Sequence, residues 1–538
     1  MTSRVADGMR GFSLAAALLA FAAGVAAAQT EPASESHWEG RVRAGGIYFD
    51  ETGDATTMPE TYNIYDGFSL SSIYLKGRTN PRTHLLLDLS DINLDNRKGT
   101  LDFRRTGTLR FLSRYTESRW LFDPAGTVDA SRANWWNTLS WTPSKSVWFS
   151  GDYSVQTRDG NRIGLNPGYE GWLGTAYDSK LHRYRLEAQA RANNGIGGTV
   201  AYDGVMQRDE LDTNRERDGY VVSANLNLPG VYFKRLTHVV RGAIGRSEVR
   251  DSGLGFDMMN VQYTGVARAT NWLGLRYRFY GSQVDDEATT LRTDNLHNDI
   301  DATLRYRIGV LVLGYGWEAL DDDRAVTTTS KFRGALSLRD PQNRVSGRIA
   351  YDSREKNDEE DTTLMRDSES QRLDIRIDAN LLSPLTVGAR YSDRTRELPD
   401  LGTSADGLLV TAYGAWREAP GDEMIAVTEV GVEYTYADDE YDNLYGTQHI
   451  VSNAVTGRAG VTVWKDLDLT GSFTYLTADE DLDLDKTIVS VGAGYRFPRG
   501  FLADVTYNAY NYDDYLISDR FYTANVVWFN VGYEFSTD

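Results

Sequence analysis

Residues 372–392 read RLDIRIDANLLSPLTVGARYS. Leu373, Ile375, Ile377, Ala379 and Leu381 alternate with Arg372, Asp374, Arg376, Asp378 and Asn380. After Ser383-Pro384 the alternation resumes, with Leu385, Val387, Ala389 and Tyr391 against Thr386, Gly388, Arg390 and Ser392. A period of two with charge on one face fits a pair of β-strands and no helix. The same pattern closes the chain. Val489, Val491, Ala493, Tyr495 and Phe497 lead through Pro498-Arg499-Gly500 into Phe501, Ala503, Val505, Tyr507 and Ala509, and then Val527, Phe529, Val531, Tyr533 and Phe535.

Working outward from these hairpins, stretches of about ten alternating residues run from Trp38 to the C-terminus, the pattern of a transmembrane β-barrel. Short breaks fall at Asn80-Pro81, Arg105–Thr108, Thr142–Ser146, Asn194–Gly197, Pro229-Gly230, Thr270-Asn271, Gly309, Asp340–Asn343, Ser383-Pro384, Glu418–Gly421, Lys465-Asp466 and Pro498–Gly500. Between them lie mostly longer acidic stretches, including Asp358–Asp367, Asp438–Gly446 and Asp479–Asp485. Outer-membrane barrels have short periplasmic turns and longer extracellular loops, so these breaks plus two terminal strands give about 26 strands, with both termini in the periplasm. The expected fold is therefore all-β: one large single-chain transmembrane antiparallel barrel over residues 38–538.

The N-terminus supplies the address. Arg4 and Arg10 precede an apolar run from Gly11 to Val25, and Ala26-Ala27-Ala28 offers a cleavage site, so residues 1–28 read as a cleaved secretory signal. Residues 29–37 then form a short periplasmic segment, and the expected location is the outer membrane of a Gram-negative cell. No other run is long and apolar enough for a transmembrane helix.

Composition excludes several functions. The chain of 538 residues contains no cysteine, which removes disulfides, thiolate metal sites and a self-attached c-type haem. Its net charge of -20 and the lack of a basic stripe along the sequence argue against nucleic acid. His37, His84, His182, His238, His297 and His449 are scattered, with no local metal pair. Neither a nucleophile elbow nor a phosphate-binding loop occurs, so a non-enzymatic protein is expected, with no catalytic, cofactor or metal residues. The acidic stretches offer hard oxygen ligands, but none has the spacing of a calcium-binding EF-hand loop.

A ring of about 26 strands encloses a bore roughly 50 Å across, too wide for side chains to fill. Either the loops fold inward or a separate protein occupies it. Two strands show which residues would face that space: Arg183, Arg185, Glu187, Gln189 and Arg191 in one, and Arg372, Asp374, Arg376 and Asp378 in the other. They form the candidate lumen or partner-facing wall. Such a mixed polar surface serves either as the filter of a small-solute channel or as a docking wall.

The stretch from Leu87 to Arg162 resembles the MtrB/PioB family of decahaem-associated outer-membrane proteins. The resemblance rests on Ile92-Asn93-Leu94-Asp95-Asn96-Arg97, on the Arg105–Thr108 hairpin leading into Arg114-Tyr115, and on Trp141-Thr142-Pro143 followed by Gly151-Asp152-Tyr153-Ser154 and Arg158-Asp159-Gly160. It implies a large barrel that sheaths a periplasm-facing multihaem c-type cytochrome, with a cell-surface multihaem cytochrome as a further partner, for extracellular electron transfer. Haem would then belong to the partner, and no cofactor to this chain. The chain is shorter than many members of that family and lacks the N-terminal cysteine pair some carry. The alternative from a different class is an outer-membrane porin for small solutes.

Overall fold

The computed structural model describes residues 36–122, 129–162, 175–211, 216–230, 235–322, 326–342, 344–358, 367–418, 424–443, 446–517 and 520–537. The expected signal sequence and residues 29–35 lie outside these. The strands are β1 (His37–Gly53), β2 (Gly67–Asn80), β3 (Thr83–Ser90), β4 (Lys98–Arg105), β5 (Leu109–Leu121), β6 (Asp129–Ser144), β7 (Val147–Arg162), β8 (Thr175–Arg191) and β9 (Gly197–Asp209). There follow β10 (Arg217–Pro229), β11 (Leu236–Val249), β12 (Gly255–Arg268), β13 (Leu273–Asp286), β14 (Arg292–Tyr306), β15 (Gly309–Asp321), β16 (Val326–Arg339), β17 (Val345–Asp358) and β18 (Ser368–Asn380). The last are β19 (Leu385–Leu398), β20 (Thr403–Arg417), β21 (Ile425–Asn443), β22 (Gly446–Val463), β23 (Leu467–Glu480), β24 (Leu484–Arg496), β25 (Phe501–Asp514) and β26 (Phe521–Thr537).

They form one 26-stranded sheet in which each strand pairs antiparallel with its sequence neighbours. The sheet closes on itself where β1 meets β26, in register from Trp38 opposite Thr537 to Gly53 opposite Tyr522. Closure leaves no strand edge unpaired, as a spanning sheet in lipid requires. The twelve short breaks read from the sequence fall at, or within a residue of, connections on one end of the barrel, with Asn343 and residues 419–421 lying outside the described residues.

Because cross-strand partners share a face, the register assigns a side to each residue around the ring. One face carries an apolar band that includes Val42, Leu139, Ile244, Ile300, Ile349, Ile377, Val432 and Phe529, all with exposed side chains. That face is the outside. Aromatic rings border the band, as at lipid–water boundaries of other barrels. Near the short-turn end Trp141 stacks on Phe149 at 5.5 Å between centroids, and Phe501 lies 5.2 Å from Tyr533. Tyr184, Tyr202 and Tyr220 form a further row across three strands.

The structure corrects the expected boundaries of two acidic loops. Asp438–Asn443 belongs to β21 and Gly446 begins β22, so both strands extend into the expected loop. Likewise β23 runs to Glu480 and β24 begins at Leu484. In β21 the outward series Val430, Val432, Tyr434, Tyr436 changes to Asp438 and Glu440, where the wall rises above the aromatic border into water. With polar residues on both faces, period two loses its hydropathy contrast while the backbone ladder persists. There His449 Nε2 lies 2.9 Å from Asp438 Oδ1. The hydrogen bond to Asp438 raises the His449 pKa, and the same contact holds the Asp438 carboxyl below its usual range.

Two outcomes test this placement. Ile377→Arg, on the lipid face, should lower folding stability in vesicles by about 2–4 kcal/mol, read from urea unfolding, whereas inward Ser346→Arg should cost far less. The His449–Asp438 pair should be charged on both sides between the lowered carboxyl pKa and the raised imidazole pKa. Its contribution is lost as pH rises through the latter or falls through the former. Asp438→Asn should move the imidazole titration down towards about 6.5, followed by NMR of the His449 ring in nanodiscs.

Candidate functional site on the inner wall

The second face of each strand lines the bore. Arg183, Arg185, Glu187, Gln189 and Arg191 lie on this face of β8, and Arg372, Asp374, Arg376 and Asp378 on this face of β18. The two sets stand ten strands apart, so the fold does not bring them together. Both sets contain ion pairs within the wall. Arg185 contacts Glu187 at 2.5 Å and Asp203 of β9 at 3.0 Å. Arg372 and Arg376 lie 2.7 Å from Asp374 and Asp378 respectively, and Tyr413 of β20 donates to Asp378.

Ion pairs also cross the wall over strands that carry no side chain at the crossing point. Asp301 of β14 bonds Arg276 Nε of β13 at 2.7 Å and accepts from Arg333 Nε of β16 at 2.8 Å, reaching over Gly314 of β15. A Cβ at Gly314 would come within 2.4 Å of Asp301 Oδ1 and 2.5 Å of Arg333 Nε. Asp301 has a side-chain exposure of 3%, so its charge depends on those two guanidinium groups. Arg394 of β19 reaches Asp439 of β21 at 2.9 Å over Gly407 in the same way. The bore wall is thus laced across four strands as well as paired strand to strand.

Sequence reasoning found no basic stripe, but the fold builds one. Three rows of cross-strand neighbours run over β16–β19. The first contains Lys331, Arg354, Ser370 and Arg396; the second Arg333, Asp352, Arg372 and Arg394; the third Ser337, Arg348, Arg376 and Arg390. Basic groups outnumber acidic ones on this wall although the chain as a whole is acidic. A recess of about 730 Å³ opens against the first two rows. The signal in the sequence was the spacing of Arg390, Arg394 and Arg396, diluted there by the outward Tyr391, Asp393 and Thr395.

Two loops fold into the bore at the end opposite the short turns. In residues 54–66, Asp54 Oδ1 accepts from Thr56 N at 2.9 Å, and the Tyr62 hydroxyl donates to Thr56 O at 2.5 Å. Burial pushes the Tyr62 phenol above its ordinary pKa. Met58 has no solvent exposure and packs with Tyr522 and Ala524 of β26. In residues 91–97, Leu94 joins Ile47 of β1 and Val526 of β26, while Asn93 Nδ2 donates to Phe68 O at 2.5 Å. The loops meet where the Tyr65 hydroxyl donates to Asp95 Oδ2 at 2.5 Å. Both buried apolar clusters among the described residues lie here, against one side of the bore.

The chain is similar to the ferric enterobactin receptor PfeA of Pseudomonas aeruginosa, with 8% identity and a TM-score of 0.50, over 93% of this chain and 81% of that one. It is also similar to the siderophore receptor PirA of the same organism, with 9% identity and a TM-score of 0.49, over 94% and 81%. The chain has the fold of an outer-membrane β-barrel. At this identity the likeness extends to the fold alone. No family model matches the chain, and no curated protein matches it.

Among the described residues no group of three or more His, Asp or Glu side chains is placed to hold a metal ion. The chemistry on offer is instead a charged, hydrogen-bonding surface facing a wide space. Gly314→Leu should part Asp301 from Arg333 and lower stability by about 1–3 kcal/mol. Combined with Asp301→Asn it should add much less than the sum of the two single effects, as a double-mutant cycle in urea would measure.

Proposed function

We propose that this outer-membrane barrel sheaths a multihaem c-type cytochrome and holds its haem chain across the bilayer for extracellular electron transfer. The observation that carries the reading is a 26-stranded ring whose bore is roughly 50 Å wide, lined by charged side chains and with two loops packed against one side. A wall of that width and polarity suits a folded protein better than a small solute, which needs a constriction to be selected. The absence of cysteine assigns the haem to the partner. The resemblance of Leu87–Arg162 to the MtrB/PioB family supports the same partner class. In this role the barrel wall excludes lipid, and the inward polar residues replace the water that would otherwise solvate the cytochrome. Electrons pass between the partner's haems; the barrel's aromatic residues serve packing and the membrane border.

The tagged barrel, purified gently from a host that expresses multihaem cytochromes, should bring with it a second haem-stained polypeptide in near-equal amount and a matching Soret band. A colourless single-band preparation with stable, saturable conductance would overturn the sheath and leave a solute channel.

A further inference from the structure

The basic strip on β16–β19 gathers more cations than pairing within the wall explains. Arg348, Arg376 and Arg390 stand directly opposite one another on three neighbouring strands. Like charges in that arrangement oppose strand pairing. Arg376 is neutralised by Asp378, and Arg390 lies 3.5 Å from Asp374. Arg348 makes no ion pair or hydrogen bond with the described residues, and neither do Arg354 and Arg396 in the rows above. All three are exposed to the bore. Several cations are therefore held side by side at a cost to the sheet, each presenting a guanidinium fork suited to carboxylates or other oxyanions.

The range of electrostatic forces decides what the strip can act on. At physiological ionic strength the screening length is about 8 Å, against a bore radius of roughly 25 Å. A small anion travelling near the axis would not feel this wall. Only a body in contact with it would, and with several anionic groups at once.

We infer that the inward face of β16–β19 is the docking face for the protein in the bore, which lies off axis with an acidic patch against Arg348, Arg354 and Arg396. This inference rests on the sheath reading and adds the side of the barrel and the charge of the contact. The tucked loops, seated on β1 and β24–β26, occupy another side and favour an off-axis position.

The test compares the wild-type barrel with Arg348→Glu/Arg354→Glu/Arg396→Glu and with the corresponding triple lysine variant, each purified from the native host in about 0.15 M salt. Folding is checked by the heat-dependent shift of the barrel on gels. None of the three arginines has a partner in the wall, so all variants should fold. The glutamate variant should retain at least tenfold less haem polypeptide per barrel than wild type, the lysine variant should retain most of it, and raised salt should release it from wild type. If the triple glutamate variant does not assemble, Arg348→Glu and Arg396→Glu singly should each lower retention at least threefold. Undiminished, salt-insensitive retention by a folded charge-reversed barrel would overturn the docking face and leave the sheath intact. A wild-type barrel that carries no haem polypeptide would overturn both.

Discussion

A backbone that crosses lipid must pair every amide and carbonyl within the protein, and a sheet can meet that demand only by having no edge. Here the demand is met by one seam, β1 against β26, which joins the two ends of the chain over sixteen consecutive residue pairs. The other features of the wall depend on that closure. It gives each strand two faces that meet different solvents, so alternation in the sequence becomes separation in space. It also sets a circumference too large for side chains to span, which turns the inner face into a surface rather than a core.

That surface is built differently from the outer one. Outside, apolar side chains need only be hydrophobic and of suitable size. Inside, charges must be matched without a packed interior to exclude water. The solution is short-range pairing along a strand, as in Arg376 with Asp378, together with crossings over a glycine, as in Arg276, Asp301 and Arg333 above Gly314. Arg348, Arg354 and Arg396 on β17 and β19 stand outside this pairing, as do Arg132 and Arg158, which face one another on β6 and β7.

Much of this was legible in the sequence because a period of two is a local signal. Leu373 to Leu381 and Leu385 to Tyr391 announce both their strands and their lipid face, and turns such as Ser383-Pro384 give the strand number without any knowledge of pairing. The inward placement of Arg183–Arg191 and Arg372–Asp378 follows from the same alternation. Three things were not legible. Asp438–Asn443 lacks hydropathy contrast because both its faces meet water. Met58 and Leu94 are ordinary loop residues until closure brings Tyr522 and Val526 beside them. The basic strip is dispersed over four strands, so only register reveals that Arg348, Arg376 and Arg390 are neighbours.

The two tucked loops have a consequence for how the barrel holds together in time. Met58 with Tyr522, and Leu94 with Ile47 and Val526, join parts of the chain more than four hundred residues apart, across the one junction that cannot form until the last strand is in place. Contacts of such long sequence separation form late. Once made, they fasten the seam like a latch, and Tyr522 reinforces it through Glu51 at 2.7 Å and Thr61 at 2.8 Å. Interactions that arise after the rate-limiting step of folding slow unfolding more than they speed folding. The loops thus contribute chiefly to the lifetime of the closed ring, by raising the barrier to parting the first strand from the last.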